Sequence, residues 1–147
     1  MIKGDKKLVD ECTKVEEREN VLILTDTVTP FSIPEVLAIA CKERGAETMI
    51  VITSPFKGVG EDPPPPVVEA MQKAQVVFVA SSRGILHSPS RARASKAGTR
   101  FFNLSEITEE DMFRGNIKAS KHFDFVIYAP KIELDGVTFL ENYRFNL

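Results

Sequence analysis

The stretch VLILT at residues 21–25 is a continuous apolar run that ends in polar residues. This pattern is typical of a strand buried on both faces, as in a parallel sheet covered by helices. A helix is predicted next, with Ser32 as its N-cap, Pro34 in its first turn and its end at Gly45. Residues 48–53, TMIVIT, form a second apolar and β-branched run. Strand, helix and strand in this order predict a parallel pair joined by a right-handed crossover.

The same alternation continues beyond the second strand. Residues 54–66 contain two glycines and a run of four prolines, which predict a long, stiffened loop. Ser88 followed by Pro89 predicts a capped helix start. Beyond the loop, one helix is predicted to begin at Pro65 or Pro66 and to end at Ala74. Further helices are predicted at residues 89–98 and 108–115, and strands at residues 76–80 and 100–104.

The two ends of the chain depart from this alternation. Residues 3–17 place apolar side chains at helical spacing and predict an amphipathic helix that covers one face of the sheet. Residues 123–129 predict another strand, and the Asp-Gly pair at residues 135–136 predicts a tight hairpin. We therefore expect one α/β domain over residues 1–147, with three layers and a mostly parallel, Rossmann- or flavodoxin-like sheet of about five strands. Residues 118–147 form a divergent C-terminal extension that carries the hairpin.

Composition excludes several classes of partner. Apolar residues make up 43% of the chain, charged residues 27%, and the formal net charge is −2 with acidic and basic residues interspersed. We therefore expect a soluble globular protein that binds neither nucleic acid nor a membrane. The N-terminus has no apolar signal core, so the predicted location is the cytoplasm. Cys12 and Cys41 lie in predicted helices, where buried thiols rather than a disulfide are expected.

A candidate binding segment follows the third predicted strand. In open parallel sheets, ligands bind outside the carboxyl ends of the strands, where helix N-termini present backbone N–H groups. Residues 81–93, SSRGILHSPSRAR, place three arginines, a histidine and several hydroxyls around a helix start. They suit a carboxylate or phosphate. The alternative, which we favour, is that Ser88 caps the helix, Arg91 and Arg93 are solvated, and His87 makes a contact within a loop.

Asp26 follows the first predicted strand, between two threonines. It either orients a ligand or accepts hydrogen bonds from its own turn, and the turn is the favoured interpretation. Because the carboxyl ends of parallel strands meet at one edge of a sheet, we expect Asp26 to lie close to residues 81–93 in the folded chain. The candidate ligand-binding residues are Asp26, Ser82, Arg83, His87 and Arg91.

Common catalytic patterns are missing from the sequence. No glycine-rich dinucleotide motif follows the first strand, and no phosphate-loop lysine motif is present. His87 and His122 lie in separate segments, so no metal site is predicted. Ser81 or Ser82 with His87 lacks the glycine elbow of a serine nucleophile. No catalytic residue is assigned, and no cofactor is expected in this chain.

Four segments together resemble the N-terminal region of the aminopeptidase T and aminopeptidase S family of metallopeptidases. They are NVLILTDT at residues 20–27, EDPPPPVVEAM at 61–71, SRGILHS at 82–88 and LSEITEEDM at 104–112. The resemblance extends over roughly residues 1–115. A ring-cleaving dihydroxypyridine dioxygenase is built on a similar two-part architecture, so the resemblance indicates a fold lineage rather than a reaction.

The resemblance implies a context for this chain. In that family of hydrolases, a divalent metal, Zn or Co, is bound by residues of the C-terminal half, and none of them corresponds to a position here. The N-terminal domain forms a platform against the catalytic domain within a homodimer. The function predicted for this chain is therefore a noncatalytic interaction or regulatory module, inactive alone, with a homo-oligomeric or catalytic-domain partner. The alternatives are a stand-alone domain that binds a small anion or peptide carboxylate, and a part of a metal-dependent aminopeptidase.

Overall fold

The computed structural model describes residues 9, 13–105, 107–114, 125–128, 132–134, 137–139 and 143–145. Strands and helices alternate from residue 20 to residue 114, and strands follow. The strands are β1 (Asn20–Asp26), β2 (Glu47–Thr53), β3 (Val76–Val79), β4 (Arg100–Asn103), β5 (Phe125–Tyr128), β6 (Ile132–Leu134), β7 (Val137–Phe139) and β8 (Tyr143–Phe145). The helices are α1 (Ser32–Glu43), α2 (Pro65–Lys73), α3 (Pro89–Lys96) and α4 (Glu109–Arg114).

Among the described residues, six strands form the main sheet, in the order β2-β1-β3-β4-β5-β8. The first four of them pair in parallel, and β5 and β8 add in antiparallel orientation. The predicted α/β class with a mostly parallel sheet is confirmed. β6 and β7 pair in antiparallel orientation with Leu134 opposite Val137, as the two arms of the predicted hairpin require. The Asp-Gly pair of the predicted tight turn lies outside the described residues.

The sheet is packed on both faces, which makes the three layers. Successive side chains of a strand point to opposite faces, so Ile23 and Phe78 pack with α1 and α4 while Leu22 and Val77 pack with α2 and α3. Every residue of β1 after Asn20 is buried. A strand covered on both faces has no solvent side, which explains why residues 21–25 show no polar alternation.

Two predicted element boundaries are wrong. The predicted helix at residues 3–17 fails over residues 13–17, which are not helical, because Lys14 has a left-handed φ of 47°. Except for Val9, the rest of that prediction lies outside the described residues. Ser32 is the first helical residue of α1 rather than its N-cap, a position taken by Phe31 without a side-chain cap. The Ser32 hydroxyl instead donates a hydrogen bond to Glu109 of α4.

Other predicted boundaries are confirmed. Residues 54–64 form the long loop, and the proline run leads into α2 at Pro65, where a missing N–H costs nothing. Ser88 is the N-cap of α3, and its hydroxyl oxygen accepts a hydrogen bond from the Arg91 N–H. The turn after α3 contains Gly98 with a φ of +111°, a conformation that glycine adopts without strain.

Thr99 joins the end of α2 to the start of β4. Its buried hydroxyl lies 2.9 Å from the carbonyl oxygen of Ala74 and 3.1 Å from that of Met71. These carbonyls belong to the last turn of α2 and its C-cap, where helical carbonyls lack intrahelical partners. One side chain therefore fastens the helix to the sheet.

Replacing Thr99 by valine keeps the shape and removes the hydroxyl. We expect T99V to lower the free energy of unfolding by about 1–3 kcal/mol, because two buried carbonyl oxygens lose the one hydroxyl hydrogen that they share. Urea unfolding followed by circular dichroism measures the change. The matched variant T99S keeps the hydroxyl and is expected to lose less, and equal losses in the two variants would contradict this role of the hydroxyl.

Candidate functional site

The strand order places a topological switch point between β1 and β3. From β1 the chain passes through α1 to β2 on one side, and it then returns through α2 to β3 on the other side. The two helices pack on opposite faces of the sheet. In sheets of this kind the ligand crevice lies at the carboxyl ends of the two strands that flank the switch point. Here those ends carry Asp26 and Ser82.

The Asp26 carboxylate spans this crevice. Its Oδ2 accepts hydrogen bonds from the backbone N–H of Ser82 at 2.7 Å and from the Ser82 hydroxyl at 2.5 Å. Its Oδ1 accepts from the Thr29 N–H at 2.9 Å, the Thr29 hydroxyl at 2.8 Å and the Val28 N–H at 3.2 Å. A carboxylate has about four lone-pair positions. Five hydrogen-bond donors of the chain itself therefore use all the lone-pair positions of the Asp26 carboxylate.

These contacts also determine the charge of Asp26. Burial acts to raise the pKa of this carboxyl, but the hydrogen bonds from Ser82 and Thr29 outweigh burial and hold the pKa below its ordinary value. Asp26 is therefore ionised at neutral pH. The stabilisation is fully present above the carboxyl pKa of the unfolded chain and is lost as the pH falls through the lower pKa of the folded state.

The loop at residues 54–64 is fastened to the segment between β3 and α3. The Arg83 guanidinium donates to the carbonyl oxygen of Lys57 at 2.7 Å. The backbone N–H of His87 donates to the carbonyl oxygen of Val59 at 2.9 Å. Two further donors of the β3–α3 segment are thus used within the chain, although the Arg83 and His87 side chains remain exposed.

A carboxylate of the chain already occupies the N-terminus of α3. The Ser90 N–H donates to Asp62 Oδ1 at 2.9 Å, and the Arg91 N–H donates to the Ser88 hydroxyl oxygen at 3.3 Å. Pro89 has no N–H. Hydrogen bonds from Ser90, assisted by the charge of Arg93, hold the pKa of Asp62 below its ordinary value. The backbone donors that would bind an external anion at this helix are therefore already paired.

The structure distributes the five candidate residues over separate contacts. Asp26 and Ser82 are hydrogen-bonded to each other, whereas Arg83 and His87 contact the loop. Arg91 lies 3.4 Å from the Ser95 hydroxyl, one turn along α3. It also lines a partly open cavity of about 10 Å³, which is at the lower limit for holding one water molecule. The assignment of all five residues to one ligand site stays a prediction.

Two residues of this edge were not among the sequence candidates. Asp62 lies at the start of the proline run, and its contact with Ser90 joins positions 28 residues apart. Gly84 is buried, and a Cβ atom there would lie 2.6 Å from Ser105 Oγ and 2.8 Å from Asn103 Oδ1. Both contacts join distant parts of the chain, so no local pattern marks them.

Within residues 13–105 and the other described segments, no three His, Cys, Asp or Glu side chains are grouped as metal ligands. Cys41 is buried in α1, and burial raises the pKa of its thiol to about 12. Cys12 and His122 lie outside the described residues. No helix in the described part of the chain is long and apolar enough to cross a membrane.

Comparisons with known proteins show the fold. No family model and no curated protein matches this chain, so the resemblance to the aminopeptidase T and S family finds no support there. The solved structure of 2,5-dihydroxypyridine dioxygenase from Pseudomonas putida KT2440 is similar, with a TM-score of 0.58 and 18% sequence identity. The similarity covers 74% of this chain and 38% of the dioxygenase chain. At that identity the two proteins share a fold, and the reaction is not thereby shared.

Removing the charge of Asp26 tests its role in joining β1 to β3. We expect D26N to lower the free energy of unfolding at neutral pH by about 1.5–3 kcal/mol, because an amide N–H₂ faces donors instead of accepting from them. Urea unfolding at several pH values is the measurement. The difference from wild type should shrink as the pH falls through the folded-state pKa of Asp26. The exposed carboxylate of Glu69 supplies the control E69Q, with a change within about 0.5 kcal/mol. A D26N chain as stable as wild type would contradict the role of Asp26 in joining β1 to β3.

Gly84 tests the contact between the ends of β3 and β4. We expect G84A to destabilise the chain by about 1–3 kcal/mol, because its methyl group would displace the side chains of Asn103 and Ser105. Thermal unfolding followed by circular dichroism measures the loss. G58A is the matched control, since a Cβ at Gly58 would have no described atom within 4 Å apart from those of Gly58 and its two chain neighbours. Equal melting temperatures for the two variants would show that the contact is unimportant.

Proposed function

We propose that this chain is a noncatalytic α/β module that contributes an interaction surface to a larger assembly. Its partner is a second copy of the chain or a catalytic domain, as the resemblance to the aminopeptidase T and S family implies. In the second case the partner supplies the metal, Zn or Co, and the chemistry. The observation that carries the proposal is the internal pairing of the polar groups at the switch point.

That pairing supports a structural role for the edge of the sheet at which the parallel strands β1 to β4 end, here called the carboxyl edge. Asp26 accepts five hydrogen bonds from its own chain, and Asp62 accepts from the N-terminus of α3. A ligand would have to displace these contacts, each of which involves an ionised carboxylate, before making its own. An edge built in this way favours rigidity over exchange of ligands.

Exposed apolar side chains support the interaction role. Met49 and Ile52 of β2 are 51% and 53% exposed, although β2 belongs to the main sheet. The similarity to the dioxygenase adds a further argument, because the aligned part is 38% of that chain. A fold of this kind thus occurs there within a larger protein.

A second candidate function is the binding of a small anion or a peptide carboxylate at the carboxyl edge. It is favoured by the exposure of the Arg83 and His87 side chains, which follow β3 directly. In this case Arg83 would give up its bond to the Lys57 carbonyl and bind the anion, since guanidinium pairs well with carboxylate and phosphate.

A thermal shift assay separates the two functions. We expect citrate, phosphate and free amino acids to leave the melting temperature of the chain unchanged, because the backbone donors of α3 are paired. A ligand that binds the folded chain at 100 times its Kd would stabilise it by about 2.7 kcal/mol. A rise in wild type that R83A abolishes, while the control R93A keeps it, would replace the first proposal with the second.

The noncatalytic part of the proposal has its own assay. We expect no hydrolysis of an amino-acyl amide by the purified chain with added zinc or cobalt. Hydrolysis that a chelator abolishes and that copurifies with the chain through a second column would overturn the proposal.

A further inference from the structure

We propose that two copies of this chain associate through β2, which pairs in antiparallel orientation with β2 of the other copy around a twofold axis at Ile50. The inference rests on the proposed interaction function and specifies its surface and its partner. The result would be a continuous sheet across both copies, with α1 of each copy on the same face.

The first argument is the direction of the backbone groups of β2. The strand lies at one end of the described sheet, with β1 as its neighbour. The Glu47 N–H donates to Glu19 O at 2.8 Å, and Thr53 O accepts from the Thr27 N–H at 3.1 Å, so both residues point toward β1. The N–H and C=O of one residue share a direction that alternates along a strand. The outward groups therefore belong to Thr48, Ile50 and Ile52.

The second argument is the composition of this edge. Natural edge strands are commonly protected by charged residues, prolines, bulges or short length. β2 is seven residues long, pairs with β1 without a bulge, and has no charge or proline at its outward positions. Glu47 at its first position carries the one charge of the strand. Nothing in β2 itself opposes the addition of another strand.

The third argument is self-complementarity, which favours a second copy over an unrelated strand. A twofold axis at Ile50 places Ile50 opposite itself, Thr48 opposite Ile52 and Met49 opposite Val51. Glu47 falls opposite Thr53, so no like charges meet. A twofold interface requires a surface that complements itself, and β2 has one. Pairing ends naturally beyond the strand, where Pro55 lacks an N–H.

The fourth argument is the position of the exposed apolar side chains on both faces of β2. Met49 shares a face with Val51, which packs with the α2 side of the core. Ile52 shares a face with Ile50, which packs with the α1 side. The two residues are about half exposed in the single chain. A symmetric pair of strands would cover both of them, one on each face of the joined sheets.

Sedimentation equilibrium of the full chain tests the association. We expect wild type to be a dimer at about 100 μM and the double variant M49K/I52K to dissociate more than about 100-fold more readily. Val59 supplies the control V59K, since it is equally exposed but lies in the loop. A monomeric wild type, or a dimer that M49K/I52K leaves intact, would overturn the inference. Larger open assemblies would also overturn it, because a twofold pair closes on itself.

Cysteine pairing tests the register without relying on destabilising charges. In a background with Cys12 and Cys41 replaced by alanine, M49C and V51C chains are mixed and oxidised. Met49 and Val51 form a non-hydrogen-bonded pair in the proposed register, with Cα atoms about 4.5 Å apart, which a disulfide spans. We expect a disulfide-linked dimer that contains one chain of each variant, and little dimer from either variant alone. Equal yields from the mixture and the single variants would overturn the register.

The two proposals fail in different ways. A failure of the β2 tests with no ligand response and no hydrolysis would remove the β2 surface and leave a noncatalytic module with another partner. A ligand response that depends on Arg83, or chelator-sensitive hydrolysis, would remove the proposed function whatever the state of association.

Discussion

The hydrogen bonds between Asp26 and Ser82 determine what the carboxyl edge of this sheet can do. They join the ends of β1 and β3, the two strands between which the fold class usually opens a crevice. Because the Thr29 backbone and hydroxyl occupy the other carboxylate oxygen, the charge of Asp26 is satisfied without an external cation or ligand. The switch point is thereby a joint between two strands, and the loops that follow each strand take their positions from it.

The proline loop extends this effect across the edge. Prolines restrict the backbone of residues 63–66, so the Asp62 carboxylate approaches the N-terminus of α3 from a stiff segment. A stiff segment loses less conformational entropy when it is ordered than a flexible one. Two carboxylates of the chain itself therefore take positions where related folds would place a ligand. Asp26 lies at the strand ends, and Asp62 lies at the N-terminus of α3.

The sequence predicted the layers and most elements because their signals are local. A continuous apolar run such as residues 21–25 has one common explanation, and Ser88-Pro89 marks a helix start through its own chemistry. The pairing of Asp62 with Ser90 and the close approach of Gly84 to Asn103 depend on segments far apart in the chain. The sequence therefore indicated which edge carries the polar residues, but the partners of those residues depend on tertiary contacts that no spacing rule describes.

The two edges of this molecule differ in the way that matters for function. At the carboxyl edge, charged and polar groups find partners within the chain, so little free energy is available for a ligand that must first displace them. Along β2 the outward backbone groups have no described strand beside them, and half-exposed Met49 and Ile52 remain. Unpaired backbone and apolar surface are lowered in free energy by association, whereas satisfied polar groups are not. The physical chemistry of the chain thus favours binding along the side of the sheet over binding at its strand ends.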